Sequence, residues 1–544
     1  VAHTLFEFDS VDFAVAIHRF NLAQVTPHMP GYILHVLLGQ LILNVLGLTS
    51  NDNAAFVTIS ILLSMGSVLF LWRAVYWLRG ERVALIAAIL WLTNPLFWFY
   101  GEVATVYPHE AFFASTILYL GIALFRRPNE SWIAITLGVF LSLATGARES
   151  SLIFFLPALL YLFIRTNQSK RTSVLTILAF AIVTLCWALI LFSYSGGLGI
   201  YLHYAGHEKI YRSQSFVFGN SLSGHLAVMV KILLYLLVGA LPILITVAFA
   251  ITAFPKWLRE FAQQSHRKPV FTFTALVAAI PLLFYFLVYF MKAGYLLNVL
   301  PSLTLCEAVL LDQCAIWLAR KRKQRAGNAE MLTRRLITRN SIIMTSAIVL
   351  LNLVWFFAPL PGKSPAAFND EISRESFGEG VSVLYPSAQD KRSAVLNKLF
   401  AYSSIQSVKA MDAVNNALVA SFSGRNLDPK TDVVLTTWWS RMAYYYLRLP
   451  TFEIHTRLGE RLGVAETNPP GTGPWIRKPL SDSMIYLTRT GRVLLLMRAD
   501  HPSMAELVQQ VHLKQLPMPQ YLDLYEITDS TFSFIWDGVR FVKD

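Results

Sequence analysis

Charge is scarce in this chain. Only 15% of its 544 residues are Asp, Glu, Lys or Arg, where soluble domains carry about 25%. That shortage excludes an ordinary soluble enzyme. Cysteine is scarcer still. Cys186, Cys306 and Cys314 are the only three, and all lie inside apolar runs, which excludes a disulfide framework and a cysteine-based metal site. There is no glycine-rich phosphate loop and no zinc-ligand spacing; "GTGPW" (471–475) reads as a Gly/Pro turn. No internal repeat is evident, and no signal peptide opens the chain. What is abundant is apolar sequence, at 55% of residues, with a further signal in the 13% that are aromatic. Runs of roughly twenty apolar residues recur from about Val57 to Pro359, each long enough to cross a bilayer. The chain reads as a polytopic membrane protein.

The formal net charge of +13 raises the question of a nucleic-acid partner, and its distribution answers it. The densest block is "RKRKQRAGNAEMLTRRLITR" (320–339), between two apolar runs. The pairs Arg79/Arg82, Arg126/Arg127, Lys170/Arg171 and Arg267/Lys268 also sit at the ends of apolar segments. Positive charge in short loops marks the cytoplasmic side, so the charge orients the chain in a membrane and no nucleic acid is implied. Ten spans are expected, at 54–77, 83–100, 109–125, 131–146, 150–165, 173–193, 224–252, 271–290, 297–318 and 340–358. All five basic loops then fall inside, and 101–108, 147–149, 194–223, 291–296 and everything after 358 fall outside.

Treating "PGYILHVLLGQLILNVLGL" (30–48) as an eleventh span would reverse that order, so it is expected to be an interfacial helix. "SVDFAVAIHRFNLAQ" (10–24) reads the same way, with Val11, Ala14, Val15 and Ile17/His18 at helical spacing. A Pro-rich turn at 27–31 separates the two. Three parts follow: residues 1–53, an external loop with two juxtamembrane helices; 54–358, a helical bundle; and 359–544, an external α/β domain. In that domain "TDVVLTTWW" and "RVLLLMRAD" read as buried strands, and "RSAVLNKLFAYSS" and "SMAELVQQVHL" as helices.

On this topology several ionisable residues converge on the external face: Asp9 and Asp12, Glu102, Arg148 and Glu149, Lys292, and the loop residues His203, His207, Lys209 and Arg212. Charge at the membrane edge of a helix bundle is costly unless paired or hydrated, which makes these residues functional candidates. Carboxylates beside cations suit a reaction in which an acid takes a proton while cations hold a phosphate leaving group. Each has a plainer reading too. Asp9 can cap the helix that follows it, Asp12 can lie on an exposed helical face, Glu102 can solvate a loop, and Arg148 and Lys292 can snorkel. His28 can serve its turn alone. His203 and His207, four apart, could ligate a metal, although no third ligand is apparent.

The stretch "TPHMPGYILHVLLGQLILNVLGL" behind an acidic residue, followed by a span ending in "YWLRGERVALIAAILWLTNPLFWFYGEV", resembles the superfamily C glycosyltransferases (GT-C). Within them it is most similar to the family 39-like branch of protein O-mannosyltransferases and lipid A aminoarabinose transferases. The resemblance covers 6–165 well and 271–301 loosely. It implies a GT-C-like bundle that moves a sugar from a polyprenyl-phosphate carrier at the outer face of the plasma membrane. The acceptor would be a hydroxyl of a protein, lipid or glycan. It also implies an essential acid at Asp9, a turn at Pro27-His28-Met29-Pro30-Gly31 where the family often has His-Pro-Pro, and a second acid at Glu102. Met29 departs from the usual proline. With Asp9 and Glu102 as catalytic candidates, Asp12, His28, Arg148, Glu149, Lys292 and Tyr295 become the substrate-binding candidates. No cofactor is firmly implied, though a divalent metal would fit the chemistry. The family places one spanning helix before the acidic loop, so a missing N-terminal span is expected. Spans and edge charges alone also fit a flippase or transporter, for which Glu307 and Asp312 are the intramembrane acids, or a scaffold whose external domain binds a partner.

Overall fold

The computed structural model describes residues 1–22, 26–213, 222–253, 269–289, 292–326, 330–358, 402–428, 431–436, 445–447, 449, 451–453, 464–467, 476–479, 484–487, 491–498, 504–518, 522–536 and 539–543. The expected linker after 358, most of the helix expected at 392–404, and the turn at 471–475 lie outside them. So do the side chains of His207, Lys209 and Arg212.

A short helix, α1 (Phe8–His18), opens the chain, and α2 (Ile33–Gln40) follows and runs into a π turn at Leu41–Val45. Gly31 makes the bend between them: its φ of +96° suits glycine, and an added Cβ would lie 2.8 Å from Leu191. The bundle then runs through α3 (Asp52–Arg79), α4 (Glu81–Leu92), α5 (Pro95–Glu102), α6 (Pro108–Arg126), α7 (Ser131–Ala147), α8 (Ser151–Arg165), α9 (Lys170–Tyr194) and α10 (Leu198–Ser213). It continues with α11 (Leu222–Ala253), α12 (Pro269–Leu287), a 3-10 turn at Ala293–Asn298, α13 (Leu300–Ala326) and α14 (Glu330–Phe357). Local chemistry sets several of the starts. The Asn51 and Ser169 side chains accept from Ala54 and Thr172 at the heads of α3 and α9. Asn94 caps α5, where Pro95 fills the first position, which has no use for an N–H.

Among the described residues, seven helices are long and apolar enough to cross a membrane, and an eighth span arises if α4 and α5, bent by 61°, count as one. Two of the ten expected spans, 131–146 and 150–165, stand outside that count: they form helices where expected, but α7 and α8 have 17 and 15 residues, at or below the short end of the roughly 17–25 that cross a bilayer. The pairing of Arg148, at the end of α7, with Glu110, in the first turn of α6, shows that α7 nonetheless runs the length of α6, so the short α7–α8 pair still brings its turn to the same end of the bundle as the start of α6. Helix α6 is the centre of the bundle, with 83% of its apolar window buried, whereas α9, at 6%, is a peripheral helix. Buried polar contacts join the central helices. Ser67 meets Ser115 at 2.9 Å, and the Trp91 indole N–H donates to Ser67. At the opposite end of the bundle Arg82 pairs with Asp312.

Helix α1 also departs from expectation. It was expected to lie exposed on the membrane surface, yet Ser10, Val11, Asp12, Phe13, Ala14, Ala16 and Ile17 are all buried. Phe13 packs among Tyr32, His35 and Phe56 from α2 and α3, and the segment just ahead of the helix, at Thr4 and Leu5, is held by Asp412, Asn415 and Tyr446, about four hundred positions away in sequence. The C-terminal region has α15 (Ile405–Ser423), a short α16 (Met504–Leu507), and two sheets. The larger has seven strands, in the order β4 (Ile476–Pro479), β3 (Val464–Thr467), β2 (Thr451–Glu453), β1 (Val433–Thr436), β6 (Val493–Arg498), β8 (Leu522–Ile527), β7 (Leu513–Leu516). The two strands expected to be buried, β1 and β6, pair in parallel at its centre, with Val434 beside Leu494. A three-stranded sheet joins β5 (Met484–Tyr486), β10 (Val539–Lys543) and β9 (Phe532–Trp536). The helix expected across 503–513 is only the four residues of α16, because 513–516 continues as β7.

Candidate active site

The acids of "FEFDSVD" converge because of where α1 begins. Glu7 occupies the N-cap position, and Asp9 stands in the first turn. Asp9 and Asp12 are three apart in the helix and so lie on one face. Opposite them the 3-10 turn starts at Lys292, whose extended backbone directs the side chain inward. Lys292 Nζ lies 2.8 Å from Glu7 Oε2 and 2.7 Å from Asp9 Oδ2. His28, from the turn, puts Nδ1 3.2 Å from Asp12 Oδ2 and 3.9 Å from Asp9 Oδ1. The structure thus gathers Asp9, Asp12, His28 and Lys292 into one cluster and adds Glu7. Asp12 is not on an exposed face: it is fully buried against His28.

Burial alone would lower the Lys292 ammonium, but Asp9 and Glu7 outweigh it and hold the group well above the ordinary lysine range. Two carboxylates share that one ammonium, and the more deeply buried one bears the imbalance: burial pushes the Glu7 carboxyl up against the pull of Lys292. Exposure separates the three acids. Side-chain exposure is 18% for Asp9, 1% for Glu7 and 0% for Asp12. Asp9 is the acid that faces outward. Asp9, Asp12 and His28 also each offer one ligand atom within 4.8 Å of the others, so these are the residues that could hold a cation.

A second cluster lies around the other end of the same 3-10 turn. Arg148 donates to Glu110 Oε1 at 3.0 Å and stacks its guanidinium 3.7 Å from the centre of the Tyr295 ring. Asn298 donates to Glu110 Oε2 at 3.2 Å and to the Tyr285 hydroxyl at 2.7 Å. Burial works against the arginine's charge, but Glu110, and after it Tyr295 and Tyr285, hold it well above its ordinary value. Tyr107 lies between the two groups: burial pushes its hydroxyl up, and Tyr295, Glu7 and Asp9 all add to the rise. Glu102, the expected second acid, ends α5 and is buried, and its backbone carbonyl accepts from the Ala2 amide. Glu149 is exposed on the turn beside Arg148. His203 is exposed on α10 next to Tyr204.

Sequence reasoning missed Glu7, Glu110, Asn298 and Tyr285. For Glu110 a signal existed: an acid in the first turn of an otherwise apolar span is the costliest place for an unpaired charge.

A helical bundle of this topology, followed by a small C-terminal sheet region, has the GT-C fold. The fold match is to ArnT from Cupriavidus metallidurans bound to undecaprenyl phosphate, at a TM-score of 0.55 and 12% identity, over 96% of this chain and 94% of that one. The apo form of the same protein gives 0.53 over the same shares. Residues 35–193 match the family described as dolichyl-phosphate-mannose-protein mannosyltransferase, as the resemblance read from residues 6–165 implied. A stretch of 118 residues is 29% identical to the protein O-mannosyl-transferase tmem260 of Dictyostelium discoideum, covering 21% of this chain and only 14% of that relative.

Proposed function

We propose that this protein is an inverting glycosyltransferase that uses a sugar on a polyprenyl phosphate as donor, at the extracytoplasmic face of the membrane. The observation that carries this reading is the exposure of Asp9. It is the outward-facing acid of its cluster, and Lys292 and His28 flank it on two sides. Asp9 takes the proton from an acceptor hydroxyl as that oxygen bonds to the anomeric carbon. The bond from that carbon to the phosphate oxygen breaks in the same step, through an oxocarbenium-like transition state. The phosphate leaves already charged, so it needs no general acid. Lys292 orients Asp9 and offsets the charge of Glu7, while Asp12 fixes His28. Arg148, 12% exposed at its side chain, receives the phosphate, with Glu110 and Asn298 holding its guanidinium in place. An arginine suits that role because its planar fork can meet two phosphate oxygens.

The donor class is supported by the undecaprenyl phosphate bound to the structural neighbour. The side of the membrane is supported by the basic loops, which lie at the other end of the spans from Asp9. The acceptor is a hydroxyl of a protein, lipid or glycan. Incubating purified protein with radiolabelled polyprenyl-phosphate sugars and a mixed acceptor pool tests the reaction. Asp9→Asn should lower transfer at least about 100-fold, the contribution of a general base, with membrane insertion unchanged. Full turnover in that variant would remove Asp9 as the base.

A further inference from the structure

The segment that leads into Glu7 and Asp9 is tied at Ala2 to Glu102 and Asn53, and from His3 to Leu5 it is held by residues from the far end of the chain. Asp412 on α15 accepts from the His3 amide at 3.0 Å, the Thr4 amide at 2.8 Å and the Thr4 hydroxyl at 2.6 Å. Asn415, one turn on and fully buried, donates to the Thr4 hydroxyl oxygen and to the Leu5 carbonyl, both at 3.0 Å. The Tyr446 hydroxyl accepts from the Leu5 amide at 2.8 Å. Phe6 then packs edge-on against Tyr402, itself fully buried. The other end of α1 is tied to the same region. His18, its last residue, bonds Asp52 at 2.8 Å, and the Tyr445 hydroxyl donates to the second oxygen of that carboxylate at 2.7 Å. The helix that presents Asp9 is therefore gripped at both ends by neighbouring residues of the C-terminal region, Asp412, Asn415 and the Tyr445–Tyr446 pair.

We infer that this double grip sets the position of the Asp9 carboxylate for reaction, and that Asp412 is a positioning residue for it. The inference rests on the reading of Asp9 as the base. None of the gripping groups needs to touch substrate. Their work is to fix a flexible, polar entry segment so that Asp9 meets Lys292 and the acceptor at a constant distance. A displacement of about 1 Å in a catalytic group costs up to about 100-fold in rate.

Two measurements on the full-length protein in detergent or nanodiscs test this. The first is hydrogen–deuterium exchange of the amides of residues 3–12, which needs no transfer activity. The second is steady-state transfer, with kcat and KM separated. Asp412→Ala removes all three acceptor contacts; it should raise exchange in 3–12 at least about tenfold and lower kcat about 10- to 100-fold, with the acceptor KM within about twofold. Asp412→Asn keeps one carbonyl oxygen for the Thr4 donors and should recover most of both losses. Tyr445→Phe, which removes one hydroxyl at the other end, should loosen the last turn of α1 and lower kcat less. Exchange unchanged in Asp412→Ala would overturn the grip. Raised exchange with unchanged kcat would overturn its role in positioning, as would a loss confined to KM. Wild-type protein that transfers no sugar, with the exchange pattern as expected, would overturn the reading of Asp9 as base, and the positioning role with it, while leaving the grip established.

Discussion

Glu7 and Asp9 are two residues apart, share one lysine, and end up in different states because one is sealed and the other is not. Burial raises the Glu7 carboxyl above its ordinary range, against the pull of Lys292. The native protein therefore binds a proton at Glu7 at pH values where the unfolded chain has released it, and stability falls as pH rises through that window. Thermal melts in detergent at a series of pH values above the ordinary glutamate range should show wild-type protein losing stability as pH rises through this group. Glu7→Gln should give a flatter profile, and a variant keeping the wild-type slope would remove Glu7 as its source. At this scale the sequence was informative about chemistry but not about selection. The acidic cluster in 6–12 is plain in one dimension, yet nothing there says which carboxylate is covered. Glu102 and Glu110 pose the same problem. They flank one short loop, and only the packing of α6 against α7 directs Glu110 to Arg148.

The 3-10 turn at Ala293–Asn298 is the element on which the site depends most. It carries Lys292 at its start and Tyr295 and Asn298 within it, so one short turn serves both clusters. Gly294 allows that geometry. Its amide donates to the Tyr100 hydroxyl at 2.9 Å, and an added Cβ would stand 2.3 Å from Cγ of Tyr107. Gly294→Ala should therefore destabilise the protein by about 1–3 kcal/mol, the usual cost of overpacking. It should also lower transfer by moving Lys292, with melting temperature and kcat as the two readouts. A fully active, equally stable variant would show that Tyr107 moves aside. The turn was legible only as a loop with a lysine in it. Its 3-10 form depends on Tyr100 and Tyr107, nearly two hundred residues earlier. Helix α1 was legible as a helix with charge along it. Its burial was not, because it depends on how α2 and α3 fold back on it, with Tyr32, His35 and Phe56 around Phe13.

For the molecule as a whole, length and apolar content located most of the spans, since about 20 apolar residues in a row have few other uses. Helices α7 and α8 form where their apolar runs lie, at 131–146 and 150–165, and are shorter than the other spans because the polar turn at Arg148–Ser150 divides them. The orientation makes a direct prediction. Single cysteines at Glu149 and Val508, both exposed, should react with a membrane-impermeant maleimide in intact cells. One at Arg171, exposed at the head of α9, should react only after the membrane is opened. Labelling of all three from outside would reverse the topology, or remove it.

The contacts between Thr4 and Asp412, and between Glu7 and Lys292, also bear on the order of assembly. They bridge 408 and 285 positions of sequence, and synthesis supplies those partners in order, at a pace of about 5–20 residues per second. Spanning helices can insert as they emerge, but the acids stay loose until Lys292 arrives and their approach segment stays loose until Asp412 does. A segment made early is finished late, so a chain interrupted between α14 and α15 would sit in the membrane with its spans in place and its chemistry not yet switched on.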